Sequence, residues 1–116
     1  MRYLLLIYDD EKAFADMAPE QRGQILGEYE KYSGWLAEKG WLRAGDQLAD
    51  TDQATTVRQT DGRVLATDGP FAETKEQLGG YYIIECANLD EAIEAAGKVP
   101  SVAVGGSIEV RPLIDM

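Results

Sequence analysis

The sequence predicts an α+β fold, a two-layer sandwich of the ferredoxin-like kind with its elements in the order β-α-β-β-β-β-α-β. Three observations point there. Two stretches carry apolar residues at helical spacing, and six short runs are rich in β-formers. No repeat or low-complexity linker divides residues 1–116, so the chain reads as one domain with one core. Two helices that must both cover one sheet give a layered α+β arrangement.

Residues 3–8 form the first strand, ended by the acidic turn Asp9-Asp10-Glu11. Residues 17–39 follow as a helix. Pro19 suits its first turn, where a missing N–H costs nothing, and Glu20 meets the positive end of the helix dipole. Ile25, Leu26, Tyr29, Tyr32, Ser33 and Leu36 make one buried stripe, and Gly40 is the left-handed stop. The second strand covers residues 41–48, interrupted at Gly45-Asp46. Residues 55–59 and 64–67 flank Thr60-Asp61-Gly62-Arg63, a hairpin signal because Asp-Gly tolerates positive φ at both turn positions.

Residues 78–86 are the strongest strand, with Tyr82, Ile84 and Cys86 on one face and Tyr81, Ile83 and Glu85 on the other. Asn88 caps the second helix, Glu91 completes a box-like start, and Pro100 follows its end. Residues 107–113 close the fold; Pro112, lacking an N–H, ends this strand or places it at an edge. Apolar side chains on both parities of residues 78–86 leave one sheet face without cover from this chain. A second copy is expected there, giving a symmetric homodimer.

Composition narrows the chemistry. Eleven bases against twenty-one acids give a net charge of −10, which opposes nucleic acid and anionic membrane surfaces. No apolar run is long enough to span a bilayer. The first residues read as a strand rather than a signal peptide, and the lone Cys86 closes no intrachain disulfide, so a cytoplasmic setting is expected. There is no histidine, hence no Ser–His or Cys–His nucleophile pair. A zinc site would need a shell built almost wholly of carboxylates. No metal and no cofactor is expected; any chemistry falls to Asp, Glu, Lys, Arg and Tyr.

The stretches "RYLLLIYDD", "EKGWLRAGDQL", "TTVRQTDGRVLATDGPFAETKEQLGGYYIIE", "LDEAIEAA" and "GSIEVRPL" together resemble the DGPF branch of the YCII-related proteins, over essentially the whole chain. The resemblance implies a ferredoxin-like fold that dimerises through its sheets, the dimeric α+β barrel type. It also implies a site near Asp68. One branch of the family includes a dehydrochlorinase acting on a chlorinated hydroxyhydroquinone, and related proteins carry a proposed His–Asp pair. This chain has no histidine to supply one. DGPF genes often lie beside genes for extracytoplasmic-function sigma factors, which implies a regulatory setting.

The candidate site starts from "DGPFAETKEQLGGYYII", residues 68–84. Asp68, Gly69 and Pro70 make a turn whose N–H groups Asp68 can accept, and Phe71 is expected to anchor the loop in the core. Gly79 and Gly80 allow a bulge or a close backbone approach. Asp68, Glu73 and Lys75 are the catalytic candidates: a carboxylate as base, with the ammonium stabilising negative charge. Arg111, on the last strand with Glu109, is the ligand clamp. Arg43 and Asp46 beside the glycine kink, and Tyr8 next to Asp9 where the first strand leaves the sheet, are further ligand-binding candidates.

The function expected is binding of a small anionic or aromatic molecule in a dimer cleft, with cofactor-independent, lyase-like acid–base chemistry. A non-catalytic partner protein tied to sigma-factor control is the alternative. A cofactor-free monooxygenase using Trp35 or Trp41 shares the architecture, but both tryptophans read as packing residues at a helix–strand junction.

Overall fold

The computed structural model describes residues 1–116. Strand β1 (Arg2–Asp9) is followed by a one-turn helix α1 (Glu11–Ala15), the long helix α2 (Pro19–Glu38) and β2 (Leu42–Gln47). A 3₁₀ turn (Thr51–Gln53) leads to the hairpin β3 (Thr55–Thr60) and β4 (Arg63–Asp68). Then come β5 (Gln77–Glu85), helix α3 (Leu89–Gly97), a second 3₁₀ turn (Pro100–Val104) and β6 (Ser107–Pro112). The main sheet has the order β2-β5-β1-β6 with antiparallel neighbours throughout, and β3-β4 forms a separate two-stranded sheet. This mixed α+β arrangement is consistent with a ferredoxin-like fold carrying an inserted hairpin.

Parity decides which side of the sheet is core. Tyr3, Leu5 and Ile7 of β1 pair with Ile84, Tyr82 and Gly80 of β5, and on the other side with Pro112, Val110 and Ile108 of β6. Tyr3, Leu5, Ile7 and Ile84 are buried against Tyr32 and Leu36 of α2 and against Ala92, Ala95, Ala96 and Val99 at α3. The small alanine face lets α3 sit close to the sheet, and Tyr32 fills the remaining space between helices. Its hydroxyl donates to the Ala95 carbonyl at 2.7 Å, a second donor for an acceptor in the last turn of α3 that the Lys98 N–H reaches only at 3.3 Å.

Local signals place most boundaries. Gly40 takes φ +75°, and the Trp41 N–H bonds back to the Leu36 carbonyl, a left-handed helix stop. The Asn88 side chain accepts from the Glu91 N–H, while Glu91 reaches back to the Ala87 N–H. Asp61 and Gly62 have φ of 51° and 76°, the pair of positive values a type I′ hairpin needs. Trp35 and Trp41 pack edge-to-face at 5.7 Å where α2 gives way to β2, the packing role expected of them.

Four features differ from the expectation. The acidic turn after β1 is followed directly by α1, because the Asp10 carboxylate caps its Lys12 and Ala13 N–H groups. The element order is therefore β-α-α-β-β-β-β-α-β. Helix α2 begins at Pro19, with proline at the first position, rather than at Met17. Its stripe is also divided: Tyr32 and Leu36 enter the core, whereas Ile25, Leu26, Tyr29 and Ser33 line a cleft. Finally, Phe71 is no core anchor. It is 76% exposed, because the hairpin that precedes it projects from the body and offers nothing to bury it.

Candidate functional site

The cleft lies on the helix side of the sheet and holds about 580 Å³. Its walls are the N-terminal half of α2, helix α1, the ends of β1, β2 and β5, and the turn from Ser101 to Gly106. Asp9 enters it by parity: following Ile7, it continues the helix-facing row of β1 beyond the core.

Glycines make the room. A bulge opposite Ile7 and Tyr8 leaves Gly79 out of the β1–β5 register. Gly80 lies so close to β2 that a Cβ there would stand 3.0 Å from the Asp46 carbonyl. The bulge and the close approach expected at this glycine pair are both present. On the opposite wall, a Cβ at Gly106 would run into Asp9 Oδ1 and lie 2.9 Å from both Cβ and the carbonyl oxygen of Ser101. Gly105 closes the preceding 3₁₀ turn with φ +96°, a conformation that favours glycine.

Three polar side chains meet inside. Asp9 is partly buried, and its pKa is raised chiefly by desolvation; the Ser101 hydroxyl opposes the rise, and the Glu76 carboxylate adds to it. Tyr29 is likewise pushed up by burial, with Ser101 opposing and the Asp9 charge adding. Ser101 is only 3% exposed, yet its Oγ has no partner in hydrogen-bonding geometry, although both Asp9 and Tyr29 face it. A buried hydroxyl without a partner is uncommon in a folded protein, because desolvation is then uncompensated.

The residues singled out from sequence are dispersed. Lys75 and Asp46 line the cleft; Asp46 accepts the Tyr81 hydroxyl at 2.7 Å, and Lys75 enters no ion pair. Glu73 borders a separate shallow depression with Thr51, Pro70 and Gln77. Asp68 ends β4 on the exposed hairpin, and its carboxylate accepts none of the turn N–H groups expected of it. Arg111 pairs with Glu109 at 3.2 Å on β6. Arg43 donates to the Gly40 and Leu42 carbonyls and lies 3.5 Å from Glu85. Tyr8 falls on the opposite parity of β1 from Asp9, facing away from the cleft. Asp68, Glu73, Lys75 and Arg111 thus do not converge on one cavity.

Tyr29 and Ser101 were not reached from sequence as site residues. The signals for them are indirect: Asp9 extends the buried parity of Tyr3, Leu5 and Ile7, and the glycine pairs 79–80 and 105–106 border the same space. A loop holds the rim in place. Glu11 accepts the Thr51 N–H and hydroxyl at 2.7 and 2.8 Å, and Gln77 accepts the Glu11 N–H at 3.0 Å. Cys86 is buried with its thiol pKa pushed up by desolvation, an inert position for a nucleophile.

No helix is long and apolar enough to cross a membrane. The family model of the YCII-related domain matches residues 1–116. An uncharacterized protein of Rhizobium meliloti (strain 1021) is 39% identical over 114 residues, spanning 97% of this chain and 92% of its own length. With the full length matched and the fold in agreement, the chain belongs to the YCII-related domain family.

Proposed function

We propose that this YCII-related protein binds a small aromatic molecule in the glycine-lined cleft and takes a proton from it, with Asp9 as base. One observation carries the reading: a partly buried carboxylate and an unpartnered buried serine hydroxyl share a cleft of ligand size with a tyrosine phenol. In the step envisaged, a ligand O–H or acidic C–H gives its proton to Asp9. The Ser101 and Tyr29 hydroxyls hydrogen-bond the charge left behind. The raised pKa of Asp9 brings its basicity closer to neutral conditions, and no cofactor is called for.

The test is titration of phenol, followed through the amide resonances of Gly79, Gly80, Gly105 and Gly106. Saturable shifts at these glycines are expected in wild type, with weaker binding in Ser101→Ala. If the glycine amides stay unmoved at millimolar phenol, the reading fails.

The same reading includes a second copy, in the manner of a dimeric α+β barrel. The sheet face away from the helices presents Leu4, Leu6 and Ile83, none of them fully buried. Hairpin residues Val57, Val64 and Leu65 are exposed, and an isolated two-stranded hairpin is marginal in water. The radius of gyration is 16.1 Å, against about 13 Å expected for a chain of this length. A partner sheet on the open face supplies the missing cover. Sedimentation at micromolar concentration is expected to give the dimer mass; a single species at 12.8 kDa sinks this part.

A further inference from the structure

The charge of the cleft points to a class of ligand, an inference that rests on the cleft being a binding site. Asp9, Asp10, Glu11, Asp50 and Glu76 line it, against Lys75 as the cation; Asp46 also borders it, but its carboxylate shares the Tyr81 parity, on the sheet face away from the helices. Asp10 and Glu11 are held by the α1 cap and by Thr51, bonds that fix their positions without cancelling their charge. The carboxylates of Asp50 and Glu76 accept no hydrogen bond from the chain and enter no ion pair. Glu76 is close enough to Asp9 for the two charges to repel.

A second, independent feature marks the space as one that awaits a polar ligand. Ser101 Oγ is buried, unpartnered and part of the same wall. Tyr29 and Tyr82 add aromatic surface, whose ring faces attract cations. An anion entering such a cleft meets like charge from several sides, beside the partly desolvated Asp9, whereas a cation relieves the repulsion already there.

We propose that the cleft takes an organic cation, a protonated amine on an aromatic body, with the ammonium drawn to Glu76 and the body lying along Tyr29 and Tyr82. Asp9 and Ser101 then remain free for the ligand's other polar group. This narrows the anionic-or-aromatic class expected from sequence to an aromatic cation.

Three near-isosteric probes test it: phenethylamine, phenethyl alcohol and hydrocinnamate, each titrated against the amides of Gly79, Gly80, Gly105 and Gly106. The amine is expected to bind about tenfold tighter than the carboxylate at low salt, the gap narrowing as salt is raised. Glu76→Gln, a substitution at an exposed position, is expected to weaken the amine and leave the alcohol unchanged. Hydrocinnamate binding as well as the amine overturns the charge assignment while leaving the cleft a binding site. An amine preference untouched by Glu76→Gln overturns the placement of the ammonium. If none of the three probes moves the glycine amides, the binding reading falls together with this one.

Discussion

Gly106→Ala is the substitution whose cost the cleft geometry sets most directly. The new methyl would stand 2.9 Å from the Cβ and 2.9 Å from the carbonyl oxygen of Ser101, and would collide with Asp9 Oδ1. The carboxylate can swing aside, but Ser101 cannot. Its carbonyl already accepts the Gly106 N–H at 2.8 Å, so the two residues are tied, and its side chain is enclosed. Overpacking of this kind costs about 1–3 kcal/mol. Replacing glycine returns up to about 1 kcal/mol by restricting the unfolded chain. Two contacts below 3 Å to atoms that cannot move put the cost in the upper half of that range, about 2–3 kcal/mol. The net loss is then about 1–2 kcal/mol, and at about 4 °C per kcal/mol for a chain of this length the midpoint falls by about 4–8 °C.

Thermal unfolding followed by circular dichroism reads the effect. The same substitution in an Asp9→Ala background separates the two collisions. With the carboxylate gone, part of the strain is relieved, and the double mutant should be more stable than the sum of the singles by about 0.5 kcal/mol or more. A midpoint within a degree of wild type would refute the close packing of Asp9, Ser101 and Gly106 on which the site is built. Strict additivity would show that the carboxylate does not lie over residue 106.

Two further outcomes follow from the same structure. Asp9 has its pKa raised above 3.8 in the folded state, so its ionisation disfavours folding: the stability it contributes is complete below that value and is lost as pH rises through the folded pKa. Asp9→Asn should therefore gain on wild type as pH is raised from about 3 across that window, with a constant difference beyond it; urea unfolding showing a pH-independent difference would contradict the desolvation of Asp9. Tyr32→Phe removes the bond to the Ala95 carbonyl but keeps the ring in place, and Lys98 N–H still reaches that oxygen at 3.3 Å. A loss of about 1 kcal/mol is expected in chemical denaturation, and no loss would mean water replaces the hydroxyl without cost.

What was legible in the sequence was local. The Asp61-Gly62 turn, the Gly40 stop, the Asn88 cap and the parity of residues 78–86 each depend on a few neighbouring residues, and each appears in the structure. Helix α1 was hidden because an Asp-Asp-Glu run is equally a turn and an N-cap, and nothing within the run decides between them. Phe71 misled because a large apolar side chain in a loop is ordinarily buried, and whether cover exists is a tertiary fact. The charged loop misled in a related way. Lys75 and Glu76, next to β5, do reach the cleft, but β3 and β4 pair only with each other and carry Asp68 outward, so membership of the loop does not by itself bring a residue to the cleft.

The position of Asp9 shows why the site sits at a strand end. Along β1, the helix-facing row Tyr3, Leu5 and Ile7 is covered by Tyr32, Leu36 and α3, but α3 has ended before the row reaches residue 9. There α2 continues with α1 and the Ser101–Gly106 turn beside it, and Gly80, Gly79 and Gly106 stand where side chains would otherwise fill the gap between α2 and the sheet. A larger residue at 106 is barred by Ser101, and one at 80 by the β2 backbone. The cleft is thus maintained by steric exclusion around its glycines rather than by a flexible loop. A carboxylate and a hydroxyl left there without full hydrogen bonding reduce the stability of the fold, since each has lost solvent without an equivalent partner. In a chain whose buried core is confined to one side of a single sheet, that loss is large enough to matter, and a ligand satisfying both groups would recover it as increased stability on binding.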